Sequence, residues 1–299
     1  MNKKVRAHVL LFFVNVIYGI NYSIAKSLMH DYIQPMGFIV LRVLGATSLF
    51  FIVHPFFKNE KIEKKDFLLF AACGLFGVAA NQLMFFKGLN LTGAIDASLM
   101  ITTIPLLVLV VAAVLIKEMI TGKKILGIIL GAAGAIVLIL FSKHSNDGKH
   151  AILGDLYVFL NSFSYAIYLV IAKPLMTKYH PLTVIKWTFV FGLPIVMLFG
   201  FSELTEVKWA TFDTNTWLGV AFVVIGSTFV VYLFNIFALR DVSPQVVSIY
   251  IYVQPVIATL FSLSMNHENL KITQVIASLL IFTGVYLVSS PKIAKNKLT

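Results

Sequence analysis

The chain has 299 residues, 59% of them hydrophobic and only 12% charged, with a formal net charge of +11 and a mean hydropathy of +0.90. A soluble domain runs at roughly 45–50% apolar and 25% charged, so a water-soluble globule is excluded and a membrane-embedded chain is implied. A single cysteine, Cys73, rules out an intramolecular disulfide.

About 20 apolar residues cross a bilayer as a helix, and ten such runs follow one another at 7–28, 34–53, 67–89, 95–116, 123–141, 154–173, 181–201, 216–236, 244–265 and 271–290. Barrel strands would need only about ten alternating residues each. Lys3, Lys4 and Arg6 precede the first run as in a signal peptide, but no small-residue cleavage pattern closes it, so it counts as the first span. Lys26 and Lys87 sit near the outer ends of the first and third spans and Lys186 near the inner end of the seventh, where long side chains reach an interface. Arg42 is different, about eight residues or roughly 12 Å of rise inside the second span. A charge at that depth costs at least about 2.5–3.5 kcal/mol and predicts an internal partner, so Arg42 either braces its helix or touches an anionic cargo. The third span carries Asn81 and Gln82; the fourth opens near Asp96, read as a cap, and holds Ser98 and a mid-helix Pro105. After the fifth span, the polar stretch Ser142 to His150, with Asn146, Asp147 and Gly148, reads as a linker, and Asp155 following Gly154 as the start of the sixth. The later spans contribute Asn161, Tyr168, Tyr232 and Asn235, then Tyr250 and Gln254 four residues apart on one helix face, beside Pro255.

The spans repeat. Pro105, Glu118 and Gly134 recur as Pro255, Glu268 and Gly284, each 150 residues later, while Ile20, Ile24, Ala25, Lys26, Leu28 and Met29 recur as Ile167, Ile171, Ala172, Lys173, Leu175 and Met176. The expected fold is an all-α membrane protein of ten transmembrane helices in two five-helix repeats, 1–141 and 154–299, joined by a linker at 142–153. Five is odd, so the second repeat is inverted, a plan found in secondary transporters. With the amino terminus in the cytoplasm, sixteen Lys and Arg fall on that side and only Lys143, Lys149, Lys208 and Lys271 on the other. This bias predicts both termini inside, in a plasma membrane or bacterial inner membrane. It also explains the basic charge by topology, with membrane lipid as a secondary partner and no nucleic acid.

Glu118, Thr121, Gly127 and Gly134 follow the pattern E-x-x-T-x-x-x-x-x-G-x-x-x-x-x-x-G that closes each repeat of the EamA-type drug/metabolite transporters, which this chain resembles over nearly its whole length. The second repeat keeps Glu268 and Gly284, with Lys271 and Ala277 in place of Thr and Gly. Tyr18, Gly19 and Asn21 resemble the family's W-G-x-N, Tyr replacing Trp, and Leu41, Arg42 and Ala46 its L-R-x-x-x-A. The resemblance implies a secondary carrier working by alternating access, with a central cavity between the repeats. In the family the fourth and ninth helices face each other across it, which draws in Ser98, Tyr250 and Gln254. Members move amino acids, sugars, cations and drugs, so these motifs mark the fold rather than the cargo.

The expected function is export or exchange of a small metabolite such as an amino acid, against the alternatives of a channel or receptor, or a membrane-embedded enzyme. Gln82 and Tyr232 occupy repeat-equivalent positions, and with Asn235 they form the expected wall. Asn15, Asn21, Asn81, Asn161 and Tyr168 are further buried polar groups that need a partner or a wet cavity. Pro105 and Pro255 interrupt corresponding helices and are expected to kink or gate. No paired catalytic acids, metal-ligand motif or Gly-rich phosphate loop occurs, so no cofactor, metal or catalytic residue is expected. The sequence sets no oligomeric state.

Overall fold

The computed structural model describes residues 3–56, 60–115, 117, 121–141, 148–264 and 270–289, and among them every regular element is helical. The first half builds α1 (Lys3–Asp31), α2 (Pro35–Val53), α3 (Lys64–Leu91), α4 (Ala94–Leu115) and α5 (Gly122–Phe141). The second builds α6 (Gly148–Lys178), α7 (Pro181–Thr205), α8 (Thr214–Asp241), α9 (Pro244–Ser264) and α10 (Ile272–Ser289). Eight of these, α1 to α4 and α6 to α9, are long and apolar enough to cross a membrane, and α5 and α10 coincide with the two remaining predicted spans. The chain is a multi-pass membrane protein. The face where α1 starts is called face I, and the opposite one face II.

Local chemistry sets the helix starts. Proline opens α2, α7 and α9, where its missing N–H and fixed φ cost nothing. Asp213 caps α8 by accepting from the Thr216 N–H at 2.8 Å, and Ser243 caps α9 through Val246. Two expected start signals are corrected. Asp96 lies inside the first turn of α4 behind its N-cap Gly93, and its carboxylate accepts from Gln274 Nε2 of α10 at 2.6 Å. Asp155 lies two turns into α6, which begins at Gly148 within the stretch read as linker, and there it accepts from Thr92 Oγ1 at 2.6 Å. In both cases a buried carboxylate ties two helices together instead of ending one. Glu118, Glu268, Asn146 and Asp147 lie outside the described residues.

The repeat is visible in the packing. α1 packs on α8 and α9, and α6 on α3 and α4, the same contacts made twice. The self-equivalent pairs α2 with α7 and α5 with α10 also pack directly, as a two-fold relation between the halves requires. Single interactions recur as well. Lys26 donates to the Thr92 carbonyl at 2.5 Å on face II, and Lys173 to the Val242 carbonyl at 2.7 Å on face I. Glu203 accepts from the Met36 N–H at the start of α2, as Glu60 accepts from the His180 N–H before α7, each placing an anion on a positive helix terminus. The motif glycines explain the α5–α10 contact: a Cβ on Gly134 would stand 2.6 Å from Ile281, and one on Gly284 only 2.5 Å from the Gly127 carbonyl. Close backbone approach through small residues replaces the hydrophobic drive that lipid removes.

Candidate functional site

Among the described residues four helices depart from regular α geometry, in repeat-related pairs. α3 and α8 each contain a π-helical segment, Leu75–Ala79 and Phe222–Val230. α4 breaks at Thr102 and Thr103, and α9 passes through a 3-10 turn at Tyr250–Tyr252. The cause in α4 and α9 is proline. Pro105 and Pro255 have no N–H for the carbonyls of Ile101 and Ile251, and the Thr102 and Thr103 amides bond three residues back, at 3.0 and 3.1 Å. The two breaks meet, since Tyr252 of α9 donates to the Thr102 carbonyl at 3.4 Å.

Beside these breaks lies a central cavity of about 70 Å³, walled by residues of both repeats from α1, α2, α3, α4, α6, α8 and α9. That is room for several waters. Its polar wall holds separate hydrogen-bonded groups. Tyr232 of α8 accepts from Gln82 Nε2 of α3 at 3.2 Å and reaches the Gly77 carbonyl at 3.1 Å and Asn81 Oδ1 at 3.3 Å. Asn161 of α6 donates to the Asn81 carbonyl at 2.7 Å, and Asn235 of α8 to Tyr165 at 3.2 Å. On the other side Gln254 of α9 accepts from Tyr22 at 2.7 Å and donates to Asn15 at 2.6 Å, both on α1. The π segments matter here, because their wide turns leave carbonyls such as Gly77 and Ser227 open to side chains.

Arg42 is 2% exposed and points its Nε at Thr228 Oγ1, 2.8 Å away, with Nη2 at 3.4–3.5 Å from Ser227 and the guanidinium 4.2 Å from the centre of the Phe86 ring. These neighbours are neutral, and Nη1 has no hydrogen-bond partner. Gln82 Oε1 and Asn161 Oδ1 are likewise unpartnered.

Of the residues singled out from sequence, Arg42, Gln82, Tyr232, Asn235 and Gln254 line this cavity together with Asn15, Asn21, Asn81 and Asn161. Pro105 and Pro255 are buried beside the breaks they cause. Two stand apart from the lining. Ser98 is fully buried and bonds back to the Ile95 carbonyl at 2.7 Å, while Tyr250 turns toward face I, its hydroxyl 2.8 Å from His8 Nδ1. Tyr168 packs instead over Gly77, where a Cβ would stand 2.4 Å from the ring. The lining also includes Tyr18, Tyr22, Phe85, Phe86 and Tyr165, which polarity alone did not select. A signal existed: Tyr18 and Tyr22 share a helix face with Asn15, and Tyr165 recurs 147 residues after Tyr18.

Charged contacts stand on face I. Lys178 at the end of α6 lies 2.5 Å from Asp66 and 2.7 Å from Glu63, Tyr179 donates to Asp66 at 2.6 Å, and Arg6 of α1 pairs with Asp241 of α8 at 2.8 Å. The bonds from Lys178 and Lys65 hold the Glu63 carboxyl below its usual range. At the repeat-related place on face II stand Asp31, Tyr32, Asp213 and Thr216, which line a cleft of about 310 Å³.

A helical membrane protein whose two repeats enclose a polar chamber between broken helices has the build of a transporter. The model of the EamA-like transporter family matches residues 5–140 and 152–290, one match per repeat, and the chain belongs to that family. It is 22% identical over 286 residues to a Bacillus subtilis (strain 168) protein described as "Uncharacterized transporter YyaM", covering 95% of this chain and 93% of that one. An "Uncharacterized transporter" of Archaeoglobus fulgidus is 27% identical over 257 residues, 86% of this chain and 89% of its own, and a WAT1-related protein of Arabidopsis thaliana is 23% identical over 310 aligned residues, 94% and 82%. A solved crystal structure matches with a TM-score of 0.66 at 17% identity over 96% of this chain and 98% of that one, which shows a shared fold.

Proposed function

We propose that this protein is a secondary carrier that exports or exchanges a small polar metabolite by alternating access, with the central cavity as its binding site and face I in the cytoplasm. The observation that carries this reading is the position of the cavity: it lies between the repeats, where the broken helices α4 and α9 meet. Paired helix interruptions at corresponding positions mark a carrier's binding site, because unwound backbone is tolerated in a membrane only where protein or water satisfies it. In this reading one repeat rocks against the other around the fixed central site.

The test is counterflow in proteoliposomes. Purified protein is loaded with unlabelled pools of amino acids, sugars or amines, and uptake of the labelled pool is followed with and without a pH gradient. A carrier shows uptake stimulated by the same solute on the opposite side, lost in Gln82→Ala and Asn235→Ala. Flux indifferent to the opposite compartment identifies a channel and overturns the reading.

A further inference from the structure

We infer that face I carries a binding site for the phosphate of an anionic phospholipid, built by Lys186 of α7 and the rings of Phe51 and Trp187 that flank it. None of these three residues lines the central cavity, and the site is independent of what the carrier moves.

Among the described residues face I holds four carboxylates, and each is already engaged: Glu63 and Asp66 with Lys178, Asp241 with Arg6, and Glu60 with the His180 N–H. Lys186 reaches none of them. Among the described residues it has neither an ion-pair partner nor a hydrogen-bond acceptor. Its ammonium stands instead 5.4 Å from the centre of the Phe51 ring and 5.8 Å from that of Trp187. Ring faces attract the positive charge, yet they do not replace the oxygen acceptors that its three N–H donors require. Lys61, exposed in the α2–α3 connection, meets water for this purpose. Lys186 sits deeper. Pro181 opens α7 at face I, and Lys186 follows five residues later, about 7 Å along the axis. The headgroup layer is itself about 5–7 Å deep in each leaflet, so a lysine side chain rising from that level ends among lipid phosphates.

The surroundings favour a lipid over a soluble anion. Phe51 and Ile52 of α2, and Phe56 just beyond its end, are all exposed, so the cation stands at the edge of an apolar surface. Trp187 is held by Phe67, edge-on at 5.6 Å, and by Phe191 at 6.0 Å, which fixes the frame before a ligand arrives. Counted from the proline that opens each helix, Lys186 matches Val40 of α2, so the first repeat has no cation at this point. A phospholipid of net negative charge fits the site: its phosphate oxygens accept charge-assisted bonds from Lys186 while its chains cover Phe51 and Ile52. A zwitterionic headgroup brings its own cation beside Lys186 and loses part of the attraction.

Trp187 supplies the reporter. In a Trp209→Phe, Trp217→Phe background it is the only tryptophan, and lipids with brominated chains quench it when they lie beside it. The full-length protein is reconstituted in phosphatidylcholine vesicles containing a minor fraction of brominated phosphatidylglycerol, or the same fraction of brominated phosphatidylcholine. Phosphatidylglycerol is expected to be preferred about fivefold. The preference should fall to near one in Lys186→Gln, persist in Lys186→Arg, and stay unchanged in Lys87→Gln, which removes the cation beside Tyr157 of face II. Trp209 and Trp217 stack on each other at 6.0 Å, so a second measurement uses the unaltered chain. Its melting temperature in detergent is expected to rise with short-chain phosphatidylglycerol, less with short-chain phosphatidylcholine, and not with glycerol phosphate. Equal quenching by the two brominated lipids, a preference that survives Lys186→Gln, or equal stabilisation by the two short-chain lipids overturns the inference. Glycerol phosphate acting as well as phosphatidylglycerol overturns the lipid as ligand. Each of these outcomes leaves the carrier reading to its own counterflow test.

Discussion

Tyr232 shows how much a single side chain can organise here. Its hydroxyl joins α8 to α3 through Gln82, Gly77 and Asn81, while its ring meets Phe189 edge-on at 5.0 Å. Tyr232→Phe keeps the ring and removes that junction. Because interhelical hydrogen bonds in membranes average only about 0.6 kcal/mol, the expected loss of stability is small, about 0.5–1.5 kcal/mol, read as a modest fall in melting temperature. Counterflow should fall far more, because Gln82 loses the partner that orients it. Glu63 gives a pH-dependent expectation. Its folded carboxyl is held below the ordinary range, so its pairing with Lys178 is intact above the ordinary carboxylate value of about 4.3 and is lost only as pH falls through the lower folded value. Melting curves of wild type and Lys178→Gln should therefore converge toward acid pH and separate near neutrality. At this scale the sequence revealed polar residues well, because an amide within a span is rare and visible. It concealed the aromatic part of the wall, since Phe85 and Phe86 look like any lipid-facing or core side chain until the cavity is seen.

Among the elements, α4 and α9 were legible because proline spells its own interruption, and Pro105 and Pro255 fell where the breaks occur. The π segments of α3 and α8 were not. No residue type encodes a π turn, and Gly77 or Gly226 alone reads as an ordinary helix glycine. Pro105→Ala restores an N–H for the Ile101 carbonyl and is expected to raise or preserve melting temperature while slowing counterflow, since the break beside the cavity closes. A variant that transports at the wild-type rate would make the interruption incidental. Gly134→Val tests packing instead. With Ile281 at 2.6 Å and the Ala277 carbonyl at 2.9 Å from any added Cβ, the α5–α10 contact must open, at an expected cost of about 1–3 kcal/mol. This appears as a lower melting temperature with little change in substrate specificity, because neither helix contributes to the cavity lining.

For the molecule as a whole, the duplication carried most of the fold. A shared offset of 150 residues aligns α3 with α8 and α4 with α9, and it anticipated the inverted repeat before any contact was known. The charge bias predicts an orientation with face I in the cytoplasm, which cysteine labelling tests. In a Cys73→Ser background, Thr211→Cys on face II should react with an impermeant thiol reagent in intact cells and Lys61→Cys on face I should not, both positions being exposed. What the duplication could not foretell is where the two halves differ in charge. Lys178 and Glu63 of face I correspond to Asp31 and Asp213 of face II, an ion pair at one mouth and two carboxylates lining the cleft at the other. The backbone reads nearly the same in both directions, but its electrostatics have a polarity. Raising ionic strength shortens the Debye length from about 30 Å at 0.01 M to about 3 Å at 1 M, which loosens the lysine–carboxylate mouth and relaxes the one lined by two carboxylates. Spin-label distances across the two mouths should then move in opposite senses with salt, so the common counter-ion sets the balance between the two ends of an otherwise symmetric machine.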